Sequence, residues 1–318
     1  MKQFWILLFG LFALSDCKDD NVTNAQARIC AVQTGQLSIG KMVQIPAGRF
    51  KMGSENFYLE EKPVREVSVE AFEIGAHEIT NSQFAQFVAA TNYVTVAEKP
   101  LSAAEFPNLK PEDRAAGALV FAPQDDITDL SDFTKWWAFQ RGANWRHPGG
   151  PQTNIFGLEN HPVVQIAYED ALAYANWAGA DLPTEIQWER AARGGLAEKD
   201  FVWGNNKTGI GNRPLANHWQ GIFPIQNTKD DGYQGTAPIG CFSPNGFGLY
   251  DVAGNVWELT KDDYVDERGK QAQMKAARGG SFLCGDNYCG RYRPAARTPV
   301  EINSGMQHVG FRIVRNSN

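Results

Sequence analysis

The chain has 318 residues, 43% of them hydrophobic, and a formal net charge of −6, enough for one large or two ordinary globular domains. No Lys/Arg run breaks this acidic balance, which argues against nucleic acid as a partner. Its 31 Gly, 16 Pro and 9 Trp imply many turns and little long helix.

The first residues read as an export signal. Lys2 gives a positive start, and the apolar run 4–14 is too short to span a bilayer. Leu14-Ser15-Asp16-Cys17 resembles a bacterial lipoprotein processing site, with Asp16 departing from the usual small residue. This reading makes 1–16 a signal peptide and 17–39 an acylated Cys17 with a polar tether. It places the protein in a cell envelope, attached to the membrane through a lipid anchor, on the periplasmic face or outer membrane. Lys18-Asp19-Asp20-Asn21 also resembles a surface-export tag.

The main body, 40–316, reads as one domain. Residues 42–53 alternate apolar and polar around Pro46-Ala47-Gly48, which predicts a hairpin, and 64–72 alternate again. Thr80 or Asn81 can cap a helix carrying Phe84, Phe87 and Val88 on one face. Residues 95–160 are rich in Pro, Gly and Trp with weak periodicity and read as a long ordered loop region, a common home for function. A second helix over 169–178 stops at Gly179. Thr184 and Gln187 form a capping box for a third, which Gly194-Gly195 ends. Short apolar runs broken by Gly turns follow, with no repeat and no internal linker.

With Cys17 acylated, Cys30, Cys241, Cys284 and Cys289 remain, and they allow three pairings. Cys30 and Cys241 can be bridged or free. Cys284 and Cys289 stand in a run dense in Gly, Tyr and Arg. Such thiolates suit a soft ion such as Cu(I), a redox pair or a plain disulfide. His77, His147, His161, His218 and His308 show no metal-ligand spacing, and no Walker loop, dinucleotide fingerprint or serine-hydrolase elbow is present.

Many segments match one family. They include Met42-Val-Gln-Ile-Pro-Ala-Gly48, Asn144-Trp-Arg-His-Pro148, Leu182-Pro-Thr-Glu185, Arg193-Gly-Gly195, Trp219-Gln-Gly221 and Asp231-Gly-Tyr-Gln-Gly-Thr-Ala-Pro238. Gly248-Leu-Tyr250, Gly254-Asn255, Trp257-Glu258, Arg278-Gly-Gly-Ser281 and Gly310-Phe-Arg312 continue the match. From about Met42 to Arg315 the chain resembles the formylglycine-generating enzymes, or sulfatase-modifying factors. The resemblance implies a single compact α+β domain with much irregular structure, related to C-type lectin-like folds. It implies oxidation of the cysteine in a sulfatase Cys-x-Pro-x-Arg segment to formylglycine, using O₂ and a thiol reductant. Cys284 and Cys289 would hold Cu(I), and Ser281 and Tyr288 would line the active site.

Trp136, Trp137 and Trp145 would form a groove for the substrate peptide, or simply be core. Arg291, Arg293 and Arg297 would favour a thiolate or substrate, or bond backbone carbonyls. The resemblance also implies two Ca²⁺ sites. One comprises Asn217, the His218 carbonyl, Asp231 and the Tyr233 carbonyl. The other comprises Asp251, the Gly254 and Val256 carbonyls, and Glu258. Hard oxygen donors in turns suit that ion.

Gly285 stands where many relatives have His, and Pro294 and Ala192 stand where some carry a disulfide. Two other readings remain: a non-catalytic envelope lipoprotein of the same fold in a secretion or gliding machine, and an oxidase acting on another peptide. The cysteine pair speaks against the former.

Overall fold

The computed structural model describes residues 29–316, apart from 105–106, 112–113, 125–126, 128, 208–213 and 267. The signal segment and Cys17 lie outside the described residues.

Strands β1 (Met42–Ile45) and β2 (Gly48–Met52) do not form the hairpin that their shared alternation suggests. β1 pairs antiparallel with β4 (Phe72–Gly75), which also takes the last strand of the chain, Val314–Asn316. β2 pairs instead with β3 (Arg65–Val69). The reason lies in packing. Ile45, Phe72, Ile74 and Val314 share one buried cluster with Trp188 and Leu249. Pro46, which has no N–H for a ladder, marks the step between the two sheets.

The first helix, α1 (Asn81–Thr91), resolves its cap in favour of Thr80. The Thr80 hydroxyl accepts from the Gln83 N–H while the Gln83 side chain accepts from the Thr80 N–H. Helix α2 is Tyr168–Trp177, and α3, Glu185–Ala192, starts from the same kind of box at Thr184 and Gln187. Phe84 of α1 stacks on Tyr174 of α2, and Phe87 meets the same ring edge-on. In the long irregular region Gly117–Phe121 pairs antiparallel with Trp137–Arg141.

The largest sheet carries the functional segment. Two ten-residue strands, Trp257–Asp266 and Gly269–Arg278, are flanked by Arg297–Glu301 and Val309–Gly310. The domain is α+β with short strands and much irregular structure, as expected.

Two expectations are corrected. Residues 29–39, assigned to the tether, pack on the body: Ala31 and Leu37 are buried with Ala76 and Ile239, and Cys30 is bridged to Cys241. A tether would leave these side chains in water. Trp145 is core: it lies edge-on to Phe84 at 5.2 Å, under the Arg146 guanidinium.

Candidate active site

Arg278 ends the second long strand, and Gly279-Gly280 turn the chain. Gly280 has φ of 78°, and a Cβ there would lie 2.9 Å from the Arg291 carbonyl oxygen. Only Gly combines this conformation with so close an approach. The segment between is thereby closed into a compact loop. Within it the Cys284 N–H donates to the Ser281 carbonyl at 2.9 Å, and the Cys289 N–H to the Gly285 carbonyl at 2.8 Å. These turns bring the two cysteines together.

Both thiols are buried, 1% and 7% exposed, and they are not bridged. They hydrogen-bond to each other. Burial pushes Cys284 well above its ordinary pKa, and the bond and charge of Cys289 push it further. Burial also pushes Cys289 up, but the Cys284 bond and the Arg291 guanidinium outweigh this and leave it below its ordinary value. Of the two thiols Cys289 is therefore the readier to ionise, with Arg291 as its counter-ion.

The pair faces a cavity of about 180 Å³. Ser281, Tyr288 and Arg291 line it, together with Trp136, Trp137 and His308. The Tyr288 ring stacks on Phe223 at 4.5 Å and meets Trp136 edge-on. Phe223 belongs to a short hairpin bound to the cysteine loop through both amide atoms of Asn287. Of the site residues expected from sequence, Cys284, Cys289, Ser281, Tyr288 and Arg291 gather here.

Arg297 does not. It pairs with Glu185 at 2.8 Å and lines a separate, larger cavity of about 670 Å³. Arg293 is buried against Glu61. Sequence reasoning missed Tyr58 and Glu60. The Tyr58 hydroxyl donates to the Cys289 carbonyl, and Glu60 pairs with Arg291 at 2.7 Å. Nothing in the local pattern near residue 58 signals a partner so far along the chain.

The expected calcium ligands fall in two adjoining turns, joined by a bridge between Asn217 and Gly254. In the first, Gln220 Nε2 donates to both the His218 carbonyl and Asp231 Oδ2, and the Tyr233 N–H donates to Asp231 Oδ1. In the second, Asp251 Oδ2 accepts from the Gly240 N–H, and Val256 is fully buried. Glu258 is drawn into a two-pronged ion pair with Arg312 and also accepts from the Trp188 indole. Glu78, unanticipated, is fully buried beside them, and its Oε2 has no partner. Among the described residues, no three His, Cys, Asp or Glu side chains form a ready metal cage.

Residues 29–317 match the family model of the sulfatase-modifying factor enzyme 1-like domain. The chain belongs to that family. A formylglycine-generating enzyme of Mycobacterium tuberculosis is 46% identical over 292 residues, 86% of this chain and 97% of the other. An inactive C-alpha-formylglycine-generating enzyme 2 of Bos taurus is 36% identical over 282 residues, 85% of this chain and 86% of the other. The solved structure of PvdO from Pseudomonas aeruginosa covers 87% of this chain and 94% of its own at a TM-score of 0.59 and 22% identity, a likeness of fold alone. Sulfatase-modifying factors thus include relatives named as formylglycine-generating enzymes and relatives named as inactive ones, so the cysteine loop has to carry the functional argument.

Proposed function

We propose that this protein converts the cysteine of a sulfatase Cys-x-Pro-x-Arg segment to formylglycine. The observation that carries the reading is the pair of buried, unbridged thiols facing a cavity, while Cys30 and Cys241 are joined. A purely structural pair so close would serve as a second bridge.

The donor set fits Cu(I): two soft sulfurs in an aromatic pocket, one of them with its pKa drawn down by a neighbouring guanidinium. Bound there, Cu(I) would supply one-electron reactivity toward O₂, with a thiol reductant restoring the balance. The chain's own groups do the rest. Arg291 stabilises the thiolate of Cys289, and Tyr58 holds its backbone. Trp136, Trp137 and Phe223 exclude water. Ser281 Oγ accepts from the Leu283 N–H, which leaves its own proton for a group in the cavity.

Ca²⁺ fits the first turn pair. The Gln220 amide stands between the His218 carbonyl and Asp231, where a cation held by the same oxygens would sit. Around Asp251, burial and neighbouring carboxylates call for positive charge: burial pushes Asp251 up to about 7 and Glu78 well above its ordinary value, while Arg312 is committed to Glu258. We also assign the protein to a bacterial cell envelope, lipid-anchored at Cys17, where it meets sulfatase before that protein folds.

Mass spectrometry of a Cys-x-Pro-x-Arg peptide incubated with Cu(I), O₂ and a thiol reductant tests the reading. A loss of about 18 Da at the peptide cysteine, absent with Cys284→Ser, supports it. Copper binding without conversion would favour another peptide, and neither would favour the non-catalytic lipoprotein.

A further inference from the structure

His308 is a half-buried titratable group that the chemistry above leaves unused. It precedes the two-residue edge strand of the large sheet, and its carbonyl accepts from the Trp257 N–H at 2.8 Å. Its ring lines the same cavity as Cys284 and Cys289 and lies against the Trp137 ring, centroids 4.7 Å apart. Nδ1 is shut off from solvent and has no hydrogen-bond partner. Burial pushes the imidazole pKa down to about 3, so the ring stays neutral at any working pH.

A neutral imidazole carries one N–H. Burying an unpaired N–H is rarer and costlier than burying an unused acceptor, so the proton sits on Nε2. With Nδ1 sealed in, the Nε2 edge is the polar edge that the ring presents to the cavity. The walls there are chiefly aromatic rings and thiols, with the hydroxyl residues Ser281 and Thr298 beside them, and Arg291 is already spent on Glu60 and Cys289. A peptide entering this space brings a backbone carbonyl at each residue, and each loses its water on entry. An uncompensated carbonyl costs more than the bond itself gains.

We propose that His308 is a substrate-positioning residue, its Nε2–H donating to the backbone carbonyl of the cysteine to be oxidised. The Trp137 ring fixes the plane of the donor, so the carbonyl bond orients the substrate sulfur toward Cys284 and Cys289. The assignment rests on the function proposed above.

Two variants separate donation from packing. His308→Phe keeps a ring against Trp137 and removes the donor. His308→Gln gives up the ring but keeps an amide N–H near the place of Nε2. Three quantities are read: the affinity of metal-free protein for a peptide with Ser in place of the reacting Cys, followed by tryptophan fluorescence; kcat and KM with the Cys peptide; and Cu(I) affinity by competition with a chromophoric chelator. The expected result is a loss in peptide affinity and in kcat/KM of about five- to tenfold for His308→Phe. His308→Gln should recover most of it, with Cu(I) affinity the same in all three proteins. His308→Phe matching the wild type, or His308→Gln faring no better than His308→Phe, overturns the proposal while leaving the proposed reaction standing. A wild-type protein that neither binds nor converts the peptide overturns both.

Discussion

Arg291 holds Glu60 across 231 positions of sequence, its Nη2 and Nε lying 2.7 and 3.2 Å from one carboxylate oxygen. From that position the guanidinium covers the Tyr58 ring at 3.7 Å and acts on the Cys289 thiol. The second cysteine is therefore set from outside its own loop, its backbone by Tyr58 and its charge by an arginine that Glu60 aims.

Removing that charge should raise the Cys289 pKa, because Arg291 is among the groups lowering it. In metal-free Arg291→Gln, alkylation of Cys289 by iodoacetamide near neutral pH should slow severalfold, because less of the thiol is ionised. Lysine at the same place should restore part of the rate. An unchanged alkylation rate in Arg291→Gln would sink the counter-ion role.

Restoring the histidine that many relatives carry after the first cysteine should harm this protein. A Cβ at Gly285 would lie 3.1 Å from the Phe223 Cβ and 3.3 Å from the Trp219 ring. The imidazole would have to displace the Phe223 hairpin that stacks on Tyr288. Gly285→His should lose about 1–3 kcal/mol in denaturant unfolding, the usual range for overpacking, whereas a gain in stability would show that the space is there.

The Cys30–Cys241 bridge closes a sequence separation of 211 residues and ties the N-terminal segment to the loop before Phe242. Replacing both cysteines by serine should cost about 2–5 kcal/mol, most of it through the unfolded chain. Denaturant midpoints of the oxidised wild type and the double variant check this. The cysteine cavity lies elsewhere, so Cu(I) binding should survive.

Acid should destabilise the fold through His161. Burial holds its pKa down to about 4, against the usual 6.5, and its Nδ1 is paired with the Thr236 hydroxyl at 2.9 Å. As pH falls below 6.5 the unfolded chain takes up a proton that the folded one refuses. The contribution is therefore complete above 6.5 and lost progressively down to about pH 4, by no more than about 3 kcal/mol. His161→Gln should flatten that part of the stability–pH curve; an unaltered slope would assign it to other groups.

Calcium should raise the unfolding temperature. An ion binding only the folded state contributes about 2.7 kcal/mol at one hundred times its Kd. Chelation should lower the midpoint and Ca²⁺ should restore it. Asp231→Asn should weaken the response, since Asp231 supplies both oxygens to the first turn. A midpoint indifferent to chelation would return these carboxylates to a purely structural role.

What the sequence by itself determined was local or motif-borne. Thr80 and Thr184 announce their helices because a capping box is completed within four residues. The turn around Gly280 and the cysteine loop are equally readable, because Gly conformations and short turn bonds depend on neighbours in the chain.

What only the tertiary structure decided depends on distant partners. The alternation of 42–53 is satisfied equally by a hairpin or by two separate sheets, and the shared cluster of Ile45, Phe72 and Val314 chooses the sheets. Trp136, Trp137 and Trp145 look alike in sequence, yet two line the cavity and one is sealed beneath Arg146. Tyr58, Glu60, Glu78 and His308 gain their roles only when segments far apart in the chain exclude water together, and burial energetics act on that assembled surface rather than on any local pattern.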